Sequence, residues 1–181
     1  MREMSDAERL QGMSRYGIAV GNALGVSVPQ LRSLAKDIGK DHRLAAALFD
    51  SGIHEAMILA CFVDEPKKVT ERQMDDWVSR FDSWDLCDQC CNDLFRRTPY
   101  AWTKAMEWSE KKEEYVRRAG FTMMAVLAVH DHEATDEDFV KLLWRMEKHS
   151  SDDRNYVKKA VNWALRQIGK RNSALHDEAV R

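Results

Sequence analysis

Apolar residues recur along the chain at the three- and four-residue spacing of amphipathic helices. Residues 152–172 give the clearest example, because their apolar positions define one face of a helix. The members of this stripe are Val157, Ala160, Val161, Ala164, Leu165 and Ile168. No segment shows the alternation of a half-buried strand or a two-residue hairpin turn. The pattern therefore predicts an all-α protein.

Helix start and stop signals divide the chain into ten or eleven helices. Pro29 opens a helix that Gly39 ends, Thr70 and Gln73 have the spacing of a capping box, and Thr135 precedes another helix. The predicted helices cover residues 6–16, 29–39, 41–49, 54–63, 71–81, 84–97, 100–111, 113–129, 136–149, 152–172 and 173–181. Short loops between successive helices predict antiparallel pairs, stacked as a HEAT-like helical-repeat solenoid with a concave face for an extended ligand. We expect residues 1–181 to form a single domain of this kind.

Charged residues are distributed unevenly along the chain, although the net charge is small. The chain of 181 residues has 32% charged residues and a net charge of −2, so it is not a polycation. Residues 71–93 contain seven acidic residues, whereas residues 154–171 contain six Lys or Arg and no acid. No apolar run approaches the length of about 20 residues that spans a membrane, and the charged start MREMSDAERLQGM lacks the apolar core of a signal peptide. We expect a cytoplasmic protein that does not enter a membrane.

The four cysteines predict core packing rather than chemistry. Cys87, Cys90 and Cys91 lie within about one helical turn, where neighbours do not easily form a disulfide framework, and this favours a reducing compartment. No second Cys or His pair follows at the spacing of a zinc finger, so no metal site is expected. His130 and His132 flank Asp131 without a third ligand, and we interpret them as solvated loop residues. The motifs GxSxG, GxGxxG, HExxH and the P-loop are absent, which excludes several enzyme templates.

Trp163 lies well away from the apolar stripe of its helix. It shares a face with Tyr156 and with Lys159, Arg166 and Lys170. One interpretation is a tryptophan buried against a neighbouring helix, because Trp is usually well buried. The other is a surface for nucleic acid, where cations meet phosphates and rings lie against sugars or bases. The pattern alone leaves both open.

Two further segments of the sequence contain candidate catalytic or ligand-binding residues. Trp84 and Asp88 are four residues apart, so they lie one above the other on a helix face. Asp88 is therefore either a structural acid of that helix or a carboxylate poised for general-base work or cation stabilisation. Arg117 and Arg118 stand in the strongly apolar helix 113–129. An arginine in such a place needs a carboxylate or a phosphate as partner.

Four stretches, LGVSVPQLRSLAKDIG, SWDLCD, YVRRAGF and NYVKKAVNWALRQIGKRN, follow one another over nearly the whole chain. In order and spacing they resemble the DNA alkylation repair family of bacterial HEAT-like glycosylases. The resemblance implies an all-α solenoid whose concave face holds duplex DNA. It also implies a monofunctional DNA glycosylase, a hydrolase that cleaves the N-glycosidic bond of cationic N3- or N7-alkylated purines in DNA repair.

The resemblance also assigns roles to residues. Asp88 matches the second aspartate of the family's W-D-x-x-D motif and is assigned to catalysis, with Trp84 as the motif's tryptophan and with Arg118 and Trp163 across a cleft from them. The residues expected to bind DNA are Tyr16, Arg117, Tyr156, Lys159, Arg166 and Lys170. An alkylated purine is cationic and leaves readily, so Asp88 would stabilise the oxocarbenium-like sugar and orient the attacking water. The two tryptophans would contact the sugar and the cationic base, and Arg118 would hold a phosphate.

Some positions depart from the family pattern and favour a second hypothesis. Asn155 and Tyr156 stand where better-studied members are more aromatic, and Asn162 stands where a small residue is common. These departures favour a non-catalytic HEAT-like DNA-binding or scaffold protein as the alternative. Family chains commonly continue for another helix pair, so we expect the last helix to be an imperfect cap or the chain to be a shortened form. A monomer without a cofactor is expected in either case.

Overall fold

The computed structural model describes residues 6–181, so residues 1–5 of the charged N-terminal stretch lie outside the described part. These described residues form eleven α-helices and no strand, which confirms the all-α prediction. The helices are α1 (Ala7–Arg15), α2 (Val28–Ile38), α3 (His42–Asp50), α4 (His54–Val63), α5 (Glu71–Val78), α6 (Trp84–Asp93), α7 (Ala101–Ser109), α8 (Glu114–His130), α9 (Asp136–Lys148), α10 (Asn155–Gly169) and α11 (Ser173–Val180). A short 3-10 helix, Phe95–Arg97, follows α6.

Side chains at the helix starts explain most of these boundaries. Ser27 and Gln30 form a complete capping box at α2, and Thr135 and Asp138 form another at α9. Asp41 accepts hydrogen bonds from two backbone N–H groups at the start of α3. These caps satisfy N–H groups that have no partner inside the helix, and they set the first turn of each helix where the sequence predicts it.

The capping box predicted for α5 and the end of the helix predicted over residues 84–97 are wrong. Thr70 caps α5, but Gln73 does not complete the capping box, because its Nε2 donates to the buried Asp64 Oδ2 at 2.7 Å. The helix predicted over residues 84–97 ends as an α-helix at Asp93 and continues as the 3-10 helix. At its start the N-cap residue is Ser83, whose side chain makes no capping hydrogen bond.

The chain divides into two compact units, which meet in sequence between Thr98 and Pro99. The prediction of one continuous domain is not tested by this division and stays a prediction. In the first unit, α4 is buried along its whole length and packs against α2, α3 and α6. The rings of Phe49 and Trp77 stack beside it, with centroids 3.9 Å apart. Burial of α4 on all sides makes it the centre of this unit.

The second unit is built around α8, which packs against α7 and α10. Its residues from Arg118 to Ala128 are all buried, as the apolar sequence predicts. Gly120 permits the close approach of α7, since a Cβ at this position would lie 2.3 Å from the backbone nitrogen of Ser109. On α10, Val157, Ala160, Ala164 and Ile168 are buried, whereas Val161 and Leu165 are only partly buried.

The prediction for the cysteines is wrong in one respect. All four are buried, as predicted, but Cys61 of α4 and Cys90 of α6 form a disulfide with their Cα atoms 5.2 Å apart. The prediction considered only the three neighbouring cysteines of α6. The disulfide instead joins one of them to a cysteine of α4, which packs against α6. The disulfide therefore removes the cysteine-based argument for a reducing compartment.

No helix within residues 6–181 has the length and apolar character needed to cross a membrane. In the same residues, no group of three or more His, Cys, Asp or Glu side chains is arranged to hold a metal ion.

Candidate nucleic-acid interface

The first unit presents Trp84 and Asp88 one turn apart on α6, and both side chains are partly exposed. The indole Nε1 of Trp84 donates to the backbone oxygen of Tyr16 at 2.9 Å. Tyr16 is the C-cap residue of α1, and 73% of it is exposed. These three residues are called the α6 surface below. The structure therefore brings together the predicted residues Tyr16 and Trp84 and places Asp88 on the next turn of the helix.

A buried network holds α1 and the loop after it against α4. Both oxygens of the Glu55 carboxylate accept backbone hydrogen bonds, from Leu24 at 2.8 Å and from Gly25 at 2.7 Å. Gly25 has a φ of 78°, and a Cβ there would lie 2.2 Å from the backbone oxygen of Asp6. Only glycine fits this position. Glu55 of α4 thus fixes Leu24 and Gly25 in the loop that follows α1.

A buried ion pair fixes the first turn of α6. His54 Nε2 lies 2.9 Å from Asp85 Oδ2, and both side chains are largely buried. Burial lowers the pKa of His54, but the hydrogen bond and charge of Asp85, with the charges of Glu55 and Asp82, outweigh it and raise the pKa above its ordinary value. Burial likewise raises the pKa of Asp85, and the hydrogen bond and charge of His54 outweigh it, so that pKa is lowered. Both pKa shifts favour the ionised form of the pair.

The sequence analysis did not identify this pair. His54 and Asp85 are separated by 31 positions, so no local spacing indicates their contact. One sequence signal was present, because His54 and Glu55 are the only polar residues of the otherwise apolar stretch HEAMILACFV. A carboxylate in such a stretch needs partners that compensate its burial.

The second unit presents the predicted aromatic and basic residues of α10 along one side of that helix. Tyr156, Lys159, Trp163, Arg166 and Lys170 follow at spacings of three or four residues. Lys159, Arg166 and Lys170 are exposed, and Trp163 and Tyr156 are partly exposed. These five residues are called the α10 surface below. Trp163 is only partly exposed, so its role at a nucleic-acid surface stays a prediction.

Tyr156 is held from three directions. Its ring stacks on Tyr115 with the centroids 5.6 Å apart, and the ammonium of Lys159 lies 6.0 Å from the ring centroid. Its backbone oxygen accepts a hydrogen bond of 2.7 Å from Arg118 Nη1. Tyr115 was not singled out in the sequence, although its position three residues before Arg118 places it on the same side of α8.

Arg117 and Arg118 have partners inside the second unit. Arg118 is only 5% exposed. Arg117 Nη1 lies 2.7 Å from Asp152 Oδ2, and its Nε donates to the backbone oxygen of Lys111 at 2.7 Å. Hydrogen bonds from Arg154 and then Arg117 hold the pKa of Asp152 well below its usual range, although burial opposes them. An arginine in this apolar helix was expected to have a carboxylate or a phosphate as its partner. For Arg117 the partner is the carboxylate of Asp152.

The fold and the family of this chain are shown by comparison with known proteins. A solved structure described as "a new family of proteins related to the HEAT-like repeat DNA glycosylases with affinity for branched DNA structures" matches 99% of this chain and 77% of its own, with a TM-score of 0.82 and 22% sequence identity. The protein thus has an all-helical fold of the HEAT-like repeat type. A sequence model of the family described as "DNA alkylation repair enzyme" matches residues 1–181. The chain belongs to the DNA alkylation repair family. Comparison with curated protein sequences gives no match.

Proposed function

We propose that this protein is a DNA glycosylase that releases cationic N3- or N7-alkylated purines from duplex DNA. The observation that carries the proposal is the pair of Trp84 and Asp88 on one partly exposed face of α6, in a chain of the DNA alkylation repair family. A carboxylate held beside an indole is partly desolvated and keeps a fixed orientation, which strengthens its interaction with a developing positive charge.

In the proposed reaction, the bond between C1′ and the purine nitrogen breaks first. The electron pair passes to the cationic base, which leaves as a neutral molecule and needs no general acid. The deoxyribose then has oxocarbenium character, and the Asp88 carboxylate stabilises it. Water orients on the same carboxylate, attacks C1′ and loses a proton, so the products are the free base and an abasic site.

The α6 and α10 surfaces both serve DNA binding in this proposal. Trp84 contacts the sugar through its ring face, because its N–H is already donated to Tyr16. Lys159, Arg166 and Lys170 neutralise phosphates, and Trp163 packs against the backbone between them. Arg118 and Arg117 support this surface from beneath, by way of the Tyr156 carbonyl and Asp152. The DNA ligand accords with a cytoplasmic location, which we keep as part of the proposal.

Release of 7-methylguanine and 3-methyladenine from alkylated duplex DNA tests the proposal. We expect the wild type to release both bases and Asp88→Asn to reduce release at least about 100-fold, since the stabilising negative charge is lost. Binding to the same DNA should stay within about twofold, because Asp88 does not neutralise a phosphate. Asp177→Asn, an exposed aspartate of α11, is the matched control and should behave as the wild type. A wild type that releases no base at high enzyme concentration contradicts the proposal.

A second candidate function is DNA binding without catalysis. The structural neighbour is described as having affinity for branched DNA. In addition, the guanidinium of Arg118 donates a hydrogen bond to a backbone oxygen of this chain. This candidate predicts tighter binding to a four-way junction than to a linear duplex of the same length, with no base release from alkylated DNA. Equal affinity for both DNAs, together with base release, would reject it.

A further inference from the structure

A basic pocket of ≈ 370 Å³ lies in the first unit, outside both surfaces described above. Four basic residues and one acidic residue line it, and they come from α2, from the segment just after it, from the end of α6 and from the 3-10 helix that follows α6. They are Arg32, Lys36, Lys40, Arg97 and Asp93. The chain has a net charge of −2, so this concentration of positive charge is local and indicates a site that attracts an anion.

The acid of this pocket is already neutralised. Both oxygens of Asp93 accept hydrogen bonds from the Arg32 guanidinium, at 2.9 and 2.8 Å. Gln89 accepts a third hydrogen bond from Arg32, and the guanidinium lies 4.3 Å from the centroid of the Phe62 ring. Arg32 and Asp93 therefore form a fixed wall with little net charge. The positive charge of the pocket comes from Lys36, Lys40 and Arg97.

Lys40 is held in place with its charge incompletely compensated. Its Nζ donates to the backbone oxygens of Phe62 at 2.8 Å and Asp64 at 2.9 Å, which uses two of its three N–H donors. Burial and the positive charge of Arg97 lower the pKa of Lys40, although nearby carboxylates oppose this. The same causes, burial first and then Arg97, lower the pKa of Arg96. The cations thus repel one another, and an anion in the pocket would relieve that repulsion.

The pocket lies at the end of the helix that carries Trp84 and Asp88. Trp84, Asp88, Asn92 and Arg96 follow one another at intervals of four residues, and Arg96 Nε donates to the Asn92 backbone oxygen at 2.5 Å. At about 1.5 Å per residue, the five positions from Asp88 to Asp93, the pocket residue at which α6 ends, span about 7.5 Å. Successive nucleotides of one strand advance about 3.4 Å along a duplex. A strand that runs parallel to α6 therefore covers this distance in about two nucleotides.

We propose that the basic pocket binds the phosphodiester backbone of DNA, about two nucleotides from the nucleotide that lies against Asp88. Lys36 and Arg97 are exposed and each reaches one phosphate of the strand from solvent, and Lys40 offers its remaining N–H donor. The inference rests on the DNA-binding part of the proposed function and does not require catalysis. It adds a contact that none of the residues of the α6 and α10 surfaces supplies.

The salt dependence of DNA binding tests this inference. We expect Lys36→Gln/Arg97→Gln to weaken binding to an undamaged duplex about tenfold at low salt. We also expect the slope of log Kd against log salt to fall by about 2, since each phosphate contact contributes about 0.9. The matched control is Lys67→Gln/Arg72→Gln, which removes two equal charges from exposed positions of the same unit outside the pocket. The control should keep the wild-type slope.

Three outcomes would overturn the inference. Equal slopes for the pocket variant and the wild type would reject the pocket while leaving base release by Asp88 untouched. Wild type that binds inorganic phosphate in calorimetry, with no loss of DNA affinity in the pocket variant, would assign the pocket to a small phosphate instead. A wild type without measurable affinity for DNA would reject both proposals. Conversely, DNA binding with the expected loss of slope but without base release would support the pocket and reject the glycosylase.

Discussion

His54 and Asp85 are the residues on which the placement of Trp84 and Asp88 most depends. Asp85 lies on the first turn of α6 directly after Trp84, and His54 is the first residue of the buried helix α4. Their contact of 2.9 Å joins the start of α6 to the start of α4. Removal of either partner leaves the other polar group buried without compensation, which usually costs more than the pair itself contributes.

The pair should make stability depend on pH with a definite sign. The pKa of His54 is raised in the folded state, so its contribution is complete below the ordinary value of 6.5 and is lost as pH rises through the folded value. The pKa of Asp85 is lowered, so its contribution is present above the ordinary value of 3.8 and is lost as pH falls through the folded value. The pair therefore stabilises most between these two ordinary values.

Urea unfolding of the wild type and of His54→Gln between pH 5 and 8 checks this dependence. We expect the free energy of unfolding of the wild type to fall above about pH 6.5, where the unfolded histidine titrates. The variant should lack that decrease. Parallel curves for the two proteins would show that His54 does not titrate differently in the folded and unfolded states, and the ion pair would then have no role in stability.

At the scale of single residues, sequence identified the exposed groups and missed the buried ones that hold them. Trp84 and Asp88 are neighbours by helical spacing, which is a local property. His54, Glu55 and Asp64 find their partners in other helices, and such contacts follow from packing. Asp64 also explains the wrong capping box, because its buried carboxylate accepts hydrogen bonds from both His42 and Gln73.

At the scale of helices, the contact of α7 with α8 depends on one glycine. Gly120→Ala should lower the free energy of unfolding by about 2 kcal/mol or more, because the added Cβ would lie 2.3 Å from the Ser109 backbone and force the two helices apart. Gly12→Ala is the matched control, since Gly12 is also within a helix but has no atom within 4 Å of the added Cβ. It should stabilise by about 0.5–1 kcal/mol through helix propensity. Thermal unfolding of both variants tests the pair, and a neutral Gly120→Ala would contradict the close packing.

Helix positions were predictable because their signals are local. Thr135 caps α9 as the sequence predicts, and Ser27 and Asp41 cap α2 and α3, which begin within one residue of their predicted starts. The ends were less predictable, because the switch from α6 to the 3-10 helix at residues 95–97 has no marker before Thr98 and Pro99. Phe95 is completely buried there, so packing rather than helix propensity sets the geometry of this segment.

At the scale of the whole molecule, the Cys61–Cys90 disulfide restricts the unfolded chain. It joins residues 29 positions apart, and a loop of this length is expected to add about 3–4 kcal/mol to the free energy of unfolding through lost chain entropy. Denaturant unfolding with and without reductant should show this difference in the wild type and no difference in Cys61→Ala. Mass spectrometry should detect one cross-linked peptide that contains both cysteines. Identical unfolding midpoints in the wild type under both conditions would contradict a stabilising disulfide.

The family could be identified from sequence because its motifs occur in order along nearly the whole chain, and a match over residues 1–181 confirms it. The basic pocket could not be predicted in this way. Arg97 is far from Lys36 and Lys40 in sequence, and each of the three stands in a segment of mixed charge. Only the packing of α2 against α4, and of α4 against α6, brings these cations to one place.

The hydrogen bond from Trp84 to Tyr16 has a consequence for how natural variation at position 16 can be interpreted. The acceptor is a main-chain oxygen, so every amino acid at that position provides it equally well. A substitution of Tyr16 therefore leaves the Trp84 indole in place. Conservation of a tyrosine at this position would reflect only the contacts that its exposed ring makes. Among relatives, retention of an aromatic residue there would trace contact with a ligand, and free drift would trace its loss.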